Sequence, residues 1–223
     1  MEKKKLVLFC CAAELAMIAL IALACLFESA AYYLFYNLLY GLGVSVLLPL
    51  CMAAKRGEGL AEMGMKKLGG RQILVLCTFC LFSVGGQIIP KLAAGERLPW
   101  ERLSIAVLPL VMTTFFEEFF FRGFAQARLE KQFGSAAAVV ASGLLFSLYH
   151  LGYPGFRSVG DLALLLAVGI GFALAFRLSG NNFFVAYFVN LPNAFLTYLF
   201  KQEQFPHMTV LENLVLAPMK VRG

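Results

Sequence analysis

The sequence predicts an all-α fold: a polytopic transmembrane helix bundle of about seven spans that encloses a polar cavity. Three observations predict it. Hydrophobic residues make up 61% of the 223 positions and charged residues only 14%. A soluble domain carries roughly a quarter charged residues, so this chain lacks the polar surface to face water. The apolar residues also form long runs, as membrane spans of roughly 20 residues require. Finally, the segment 117–122, at the end of one run, holds three charges within six positions, and only a bundle interior can accommodate them.

The apolar runs fall at 6–27, 31–54, 73–90, 103–121, 136–149, 162–176 and 183–200. Together they fill residues 1–223 as one membrane-embedded domain. The first run follows Lys3, Lys4 and Lys5. It is longer than a signal-peptide core and no small-residue cleavage site closes it, so it is expected to be a retained span. The fifth and sixth runs are short for a hydrocarbon core of about 30 Å at about 1.5 Å per residue. They are expected to begin inside their flanking segments or to stop at depth. In the sixth, Ala163, Ala167, Gly171 and Ala175 recur every fourth residue, which predicts a face for close helix packing. The six cysteines lie in apolar runs and are expected to act as small hydrophobes. The Cys77-x-x-Cys80 pair has no second pair to complete a metal site.

Orientation follows from the basic residues. Lys3 to Lys5, the segment holding Lys55, Arg56, Lys66, Lys67 and Arg71, the pair Arg128 and Lys131, and Arg177 all share one side if seven spans are counted. That places the N-terminus in the cytoplasm, and the plasma membrane is the expected location. The opposite side holds Lys91, Arg97, Arg102 and Arg157, offset by Glu96, Glu101 and Asp161. The net charge of +6 has no basic stripe interleaved with exposed aromatics, so a nucleic-acid partner is not expected. Membrane lipid is.

The segment Phe115-Phe-Glu-Glu-Phe-Phe-Phe-Arg-Gly123 carries the chemistry. An ionised side chain near mid-bilayer costs about 2.5–3.5 kcal/mol on insertion scales, so Glu117, Glu118 and Arg122 must pair and face inward. Glu118 and Arg122 are one helical turn apart and suit an ion pair that fixes the helix. Glu117 lies about 100° around the helix. Walled by Phe115, Phe116, Phe120 and Phe121, it is the candidate base, because a carboxylate stripped of water binds a proton more avidly. An ion-pair cluster at the headgroup level, with Glu117 facing lipid, is the plainer alternative.

His150 ends the run Phe146-Ser-Leu-Tyr-His150; His207 lies in the C-terminal tail. A glutamate and a histidine meeting across two helices can activate a water. Asn190 and Asn193 flank Pro192 in the last run. They either donate to a developing oxyanion or fill the gap of a proline kink with hydrogen bonds. Zinc on Glu117, Glu118 and His150 would require Glu118 to leave Arg122, and catalytic zinc sites usually offer more histidines; no cofactor is expected.

Glu117-Glu118-x-x-x-Arg122 followed by Phe146-x-x-x-His150 resembles the CPBP family, the CAAX-processing and bacteriocin-processing intramembrane proteases also called Abi proteins. The resemblance covers roughly residues 103–200. It implies a polar cavity in which Glu117 is the general base, His150 its partner, Asn193 an oxyanion donor, and Glu118 and Arg122 supports; Asn190 joins the supporting set. The substrate would be a peptide or a membrane-associated protein. One departure stands out. The family's third motif is a histidine followed four residues later by asparagine. With Asn193 as that asparagine, Val189 takes the histidine position; a shift by one pairs Asn190 with Ala194. A second reading follows from that loss: a catalytically impaired relative acting as a membrane scaffold or bacteriocin-immunity factor. A proton-coupled transporter using Glu117 as a relay is a third, without the paired broken helices that such folds show.

Overall fold

The computed structural model describes residues 2–27, 30–96, 103–156 and 158–200; Arg97, Glu101, Arg102, Arg157 and His207 lie outside them. Seven helices run through the described residues, with no strand among them. We label them α1 (Lys3–Ala24), α2 (Ala30–Ala54), α3 (Gly70–Ala93), α4 (103–133), α5 (Ser135–Gly152, closing in a 3₁₀ turn over Tyr149–Gly152), α6 (Val159–Leu178) and α7 (Phe183–Phe200). All but α4 are long and apolar enough to cross a membrane. The fifth and sixth helices gain length by starting or ending inside their flanking segments, at 18 and 20 residues.

Two helices depart from α spacing. Leu34–Leu47 of α2 and Phe119–Gln126 of α4 have the wider π spacing, and the second begins directly after the glutamate pair. Single-turn π insertions recur at functional sites because they re-aim the side chains that follow. Between α4 and α5 the chain reverses at Gly134, whose φ of 85° lies in the left-handed region that glycine enters without steric cost.

Most of the basic residues gather at one end of the bundle, whereas Lys91 pairs with Glu96 at the other. Lys66 Nζ donates to Gly180 O at 3.3 Å, Arg71 Nε to Leu178 O at 2.9 Å, and Arg177 Nε pairs with Glu130 Oε1 at 2.6 Å. Arg128 is ion-paired with Glu58, and Lys3 Nζ sits 5.5 Å above the Phe133 ring. Asn182 Nδ2 ties the α6–α7 turn to the carbonyls of Lys66 and Lys67, both at 3.2 Å. These contacts hold the tips of α1, α4 and the α2–α3 and α6–α7 connections together.

The packing face of α6 is not the one its spacing predicts. Ala163 and Ala167 point out of the bundle, and a Cβ on Gly171 would meet nothing within 4 Å. Close approach occurs instead at Gly169, against Gly143 of α5. A Cβ on Gly143 would sit 2.9 Å from Ile170 N, and one on Gly169 would sit 3.0 Å from Gly143 O. Of the four small residues only Ala175 is buried, and the inward face is Gly169, Phe172, Ala173, Ala175 and Phe176, which mixes small and large residues and so escapes a search for small ones alone.

Candidate active site

Glu117, Glu118 and Arg122 of α4 are buried. Glu118 and Arg122 are 0% exposed and Glu117 8%, so they face the bundle rather than headgroups. Arg122 Nη1 lies 3.2 Å from Glu118 Oε1, and Nη2 donates to Gly169 O at 2.9 Å. The guanidinium also stands 4.6 Å from the Phe146 ring and 5.5 Å from Phe172. The pair therefore ties α4 to α5 and α6. Gly169 serves twice: it lets α5 approach and offers its carbonyl to the arginine.

Glu117 turns the other way, into a cavity of about 90 Å³ that also exposes His150, Asn190 and Asn193. Such a volume has room for several waters. Both carboxylate oxygens already accept hydrogen bonds. The Tyr149 hydroxyl donates to Oε1, and Asn190 Nδ2 donates to Oε2 at 3.0 Å. The same Asn190 amide nitrogen lies 2.8 Å from Glu118 Oε1. One asparagine thus spans two neighbouring acids with its two N–H groups.

The phenylalanines flanking Glu117 do not wall it as their positions suggest. Phe116 packs on Gly41 of α2, where its ring leaves no room for a Cβ. Phe115 and Phe119 turn toward Phe183 of α7, and Phe120 stacks with Phe124. Successive helical side chains diverge by about 100°, so sequence neighbours of a cavity residue point elsewhere. The wall comes from Thr113 and Thr114 one turn earlier on α4, Tyr36 of α2, Tyr149 of α5 and Tyr153 just beyond it. Tyr36 and Tyr153 meet hydroxyl to hydroxyl at 2.7 Å.

His150 sits in the 3₁₀ turn that ends α5, between the rings of Tyr149 and Phe156 at 4.2 and 5.2 Å. Its Nδ1 is 2.7 Å from Phe146 O. A carbonyl can only accept, so Nδ1 carries the proton and the neutral ring keeps its lone pair on Nε2. Phe146 thereby orients the histidine through its backbone and covers the arginine through its ring.

Asn193 also lines the cavity, but its amide is bonded away from it. Nδ2 donates to Ser83 Oγ at 3.0 Å and to Val189 O at 2.7 Å, while Oδ1 accepts from Gln87 Nε2 at 2.7 Å. Val189 itself is a buried apolar residue. Among the described residues, no group of three or more His, Cys, Asp or Glu side chains is arranged to hold a metal ion.

Sequence reasoning did not single out Tyr149, Ser83, Gln87 or Glu14. Tyr149 precedes His150 and carried no separate signal. Ser83 and Gln87 stand one turn apart in an apolar run, which is a readable sign. Glu14 is the only acid in the run 6–27; it is 5% exposed, and neither carboxylate oxygen has a hydrogen-bond partner.

Fold and site together define a class, the polytopic helical membrane proteins that hold a carboxylate and a histidine around a cavity at membrane depth. Residues 99–195 match the family model described as type II CAAX prenyl endopeptidase, Rce1-like. That family model belongs to the CPBP (Abi) family of CAAX-type intramembrane proteases, which the chain resembles over this segment. No curated protein and no solved structure matches the chain.

Proposed function

We propose that this chain is a glutamate-dependent intramembrane endopeptidase that cleaves a peptide or a membrane-associated protein without a metal. The observation that supports it is the convergence of Glu117 and His150, from two helices, on one cavity with room for water. In this reading a cavity water gives a proton to the Glu117 carboxylate as its oxygen attacks the scissile carbonyl carbon. The lone pair of His150 Nε2 accepts the water's other hydrogen bond and orients it. The tetrahedral intermediate then collapses: the C–N bond breaks, and the proton held by Glu117 passes to the leaving nitrogen. Tyr149 and Asn190 hold the carboxylate in place throughout, and the Glu118–Arg122 pair holds Asn190 and α4.

The test is cleavage of a quenched-fluorescence peptide library by the purified protein in liposomes. Glu117→Ala and His150→Ala are expected to lower turnover by at least about 100-fold; wild-type rates in both variants would remove the assignment. One observation favours the second reading, a catalytically impaired scaffold or bacteriocin-immunity factor: the Asn193 amide has no N–H to give an oxyanion in this conformation. That reading expects Glu117→Ala to leave the cellular phenotype intact.

The basic end of the bundle is taken as cytoplasmic, with the N-terminus there and the chain in the plasma membrane. The cavity residues Tyr36, Leu110, His150 and Thr197 lie toward the opposite tips of their helices. The scissile segment would then be met in the outer half of the bilayer. Reporter fusions at Gly57 and Gly134 are expected to read as cytoplasmic.

A further inference from the structure

Asn193 is the residue whose surroundings the proposed reaction leaves unused. Its side chain borders the cavity, but an amide has two N–H groups and both are spent, on Ser83 Oγ and Val189 O. The carbonyl is spent on Gln87. Ser83 and Gln87 are one turn apart on α3, and Gln87 Nε2 also reaches Ser83 O at 3.0 Å. Polar side chains at membrane depth are costly unless bonded across helices, and here the partner across the interface is Asn193.

α3 is the helix least committed to the bundle. None of its residues is buried; it packs on α7 and touches α6. Its polar anchors at the basic end are Arg71 to Leu178 O and Gln72 Nε2 to Ser179 O, both at 2.9 Å. Between Ser83 and Gln87 lie Gly85 and Gly86. A Cβ on Gly86 would meet nothing within 4 Å, and one on Gly85 only the Ile89 Cδ1 at 3.6 Å. No close approach calls for glycine there, and each glycine weakens a helix relative to alanine. An adjacent pair with no packing reason is a point where a helix bends.

We infer that Ser83 and Gln87 are positioning residues that withhold the Asn193 amide from the cavity, and that bending α3 at Gly85–Gly86 releases it to donate to the oxyanion. This rests on the endopeptidase reading above. It accounts for an asparagine that borders the cavity yet offers it no donor. It also gives the polar residues and the glycine pair of α3 one common use.

The experiment measures peptide cleavage by the full chain in liposomes, alongside amide hydrogen exchange along α3. In Ser83→Ala/Gln87→Leu, kcat is expected to rise about 3- to 10-fold at unchanged KM, since one oxyanion donor is worth up to about 10²–10³ in rate. That gain should vanish when Asn193→Ala is added, and exchange over residues 83–93 should quicken. Gly85→Ala/Gly86→Ala should do the reverse, lowering kcat while slowing exchange. A fall or no change in kcat for the Ser83/Gln87 variant, a gain that survives without Asn193, or unaltered exchange each overturns the inference. Failure of the endopeptidase reading looks different: Glu117→Ala and His150→Ala then cleave as wild type does. The exchange measurement decides the role of α3 without reference to cleavage.

Discussion

Replacing Arg122 tests whether the charges of α4 hold the bundle together. Arg122 and Glu118 are both 0% exposed, and the arginine also serves Gly169 O and the faces of Phe146 and Phe172. Arg122→Leu leaves a carboxylate buried with one donor, Asn190 Nδ2. Breaking a buried pair from one side costs about 3–5 kcal/mol. At about 1.4 kcal/mol per tenfold, the folded-to-unfolded ratio falls by about 100- to 5,000-fold. Removing the orphaned charge should recover most of this, because an apolar or neutral replacement of both partners is often near neutral. Glu118→Gln/Arg122→Leu should therefore be more stable than Arg122→Leu alone. Arg122→Lys keeps the charge but not the planar fork that reaches Gly169 O and stacks on Phe146, and is expected to lose about 1–2 kcal/mol. Unfolding in mixed micelles, titrated with sodium dodecyl sulfate and followed by far-ultraviolet circular dichroism, ranks the variants. An Arg122→Leu midpoint equal to wild type, or a double variant no better than the single one, refutes the reasoning.

Other outcomes follow from the same geometry. Tyr149→Phe removes the donor to Glu117 Oε1; a hydrogen bond to a charged group is worth about 1.5–3 kcal/mol, so kcat should fall about 10- to 150-fold with little change in KM. The same substitution added to Glu117→Ala should cost nothing more, and an additive loss would deny Tyr149 its role. Gly143→Leu should destabilise by at least about 1–3 kcal/mol through overpacking, since even a Cβ there meets the backbone of Ile170 at 2.9 Å. Gly171→Ala should instead be neutral or stabilising by up to about 1 kcal/mol, measured in the same unfolding titration; the opposite order would restore the small-residue face that spacing predicts. Glu14→Leu should stabilise the bundle by about 1–3 kcal/mol, the cost of a buried polar group left without partners. A destabilised Glu14→Leu would show that this acid has a partner.

The architecture was legible from composition and run length because lipid imposes a simple rule. A helix must present apolar residues along its whole length, and all seven helices sit where the runs fall. Buried charges were legible for the same reason: Glu118 and Arg122, one turn apart, had few ways to be satisfied other than by each other. Directions around the helix were less legible. The π spacing over Phe119–Gln126 has no compositional signature, and the aromatic neighbours of Glu117 turned to α2 and α7 rather than to its carboxylate. Nor could the sequence show that Tyr149 reaches Glu117, since nothing in Phe146-Ser-Leu-Tyr-His150 separates a packed tyrosine from a hydrogen-bonding one. Small-residue spacing likewise missed the close approach on α6, which needs one glycine opposite another, a property of two helices and not of one.

The departure in the third motif gains a physical meaning from the way α7 is held. Asn190 faces α4 and satisfies two acids, whereas Asn193, nearly one turn on, faces α3 and satisfies a serine and a glutamine. A histidine at position 189 would have to enter a buried site in the apolar core that the valine fills. A neutral amide at 190 does what an imidazole cannot: it offers two N–H groups from one nitrogen to two carboxylates at once. The site is therefore built around a different polar economy from the motif it resembles, with α7 as the shared post between the acids and α3. Any function it performs must run through that post, because moving α7 disturbs Glu117, Glu118 and Asn193 together.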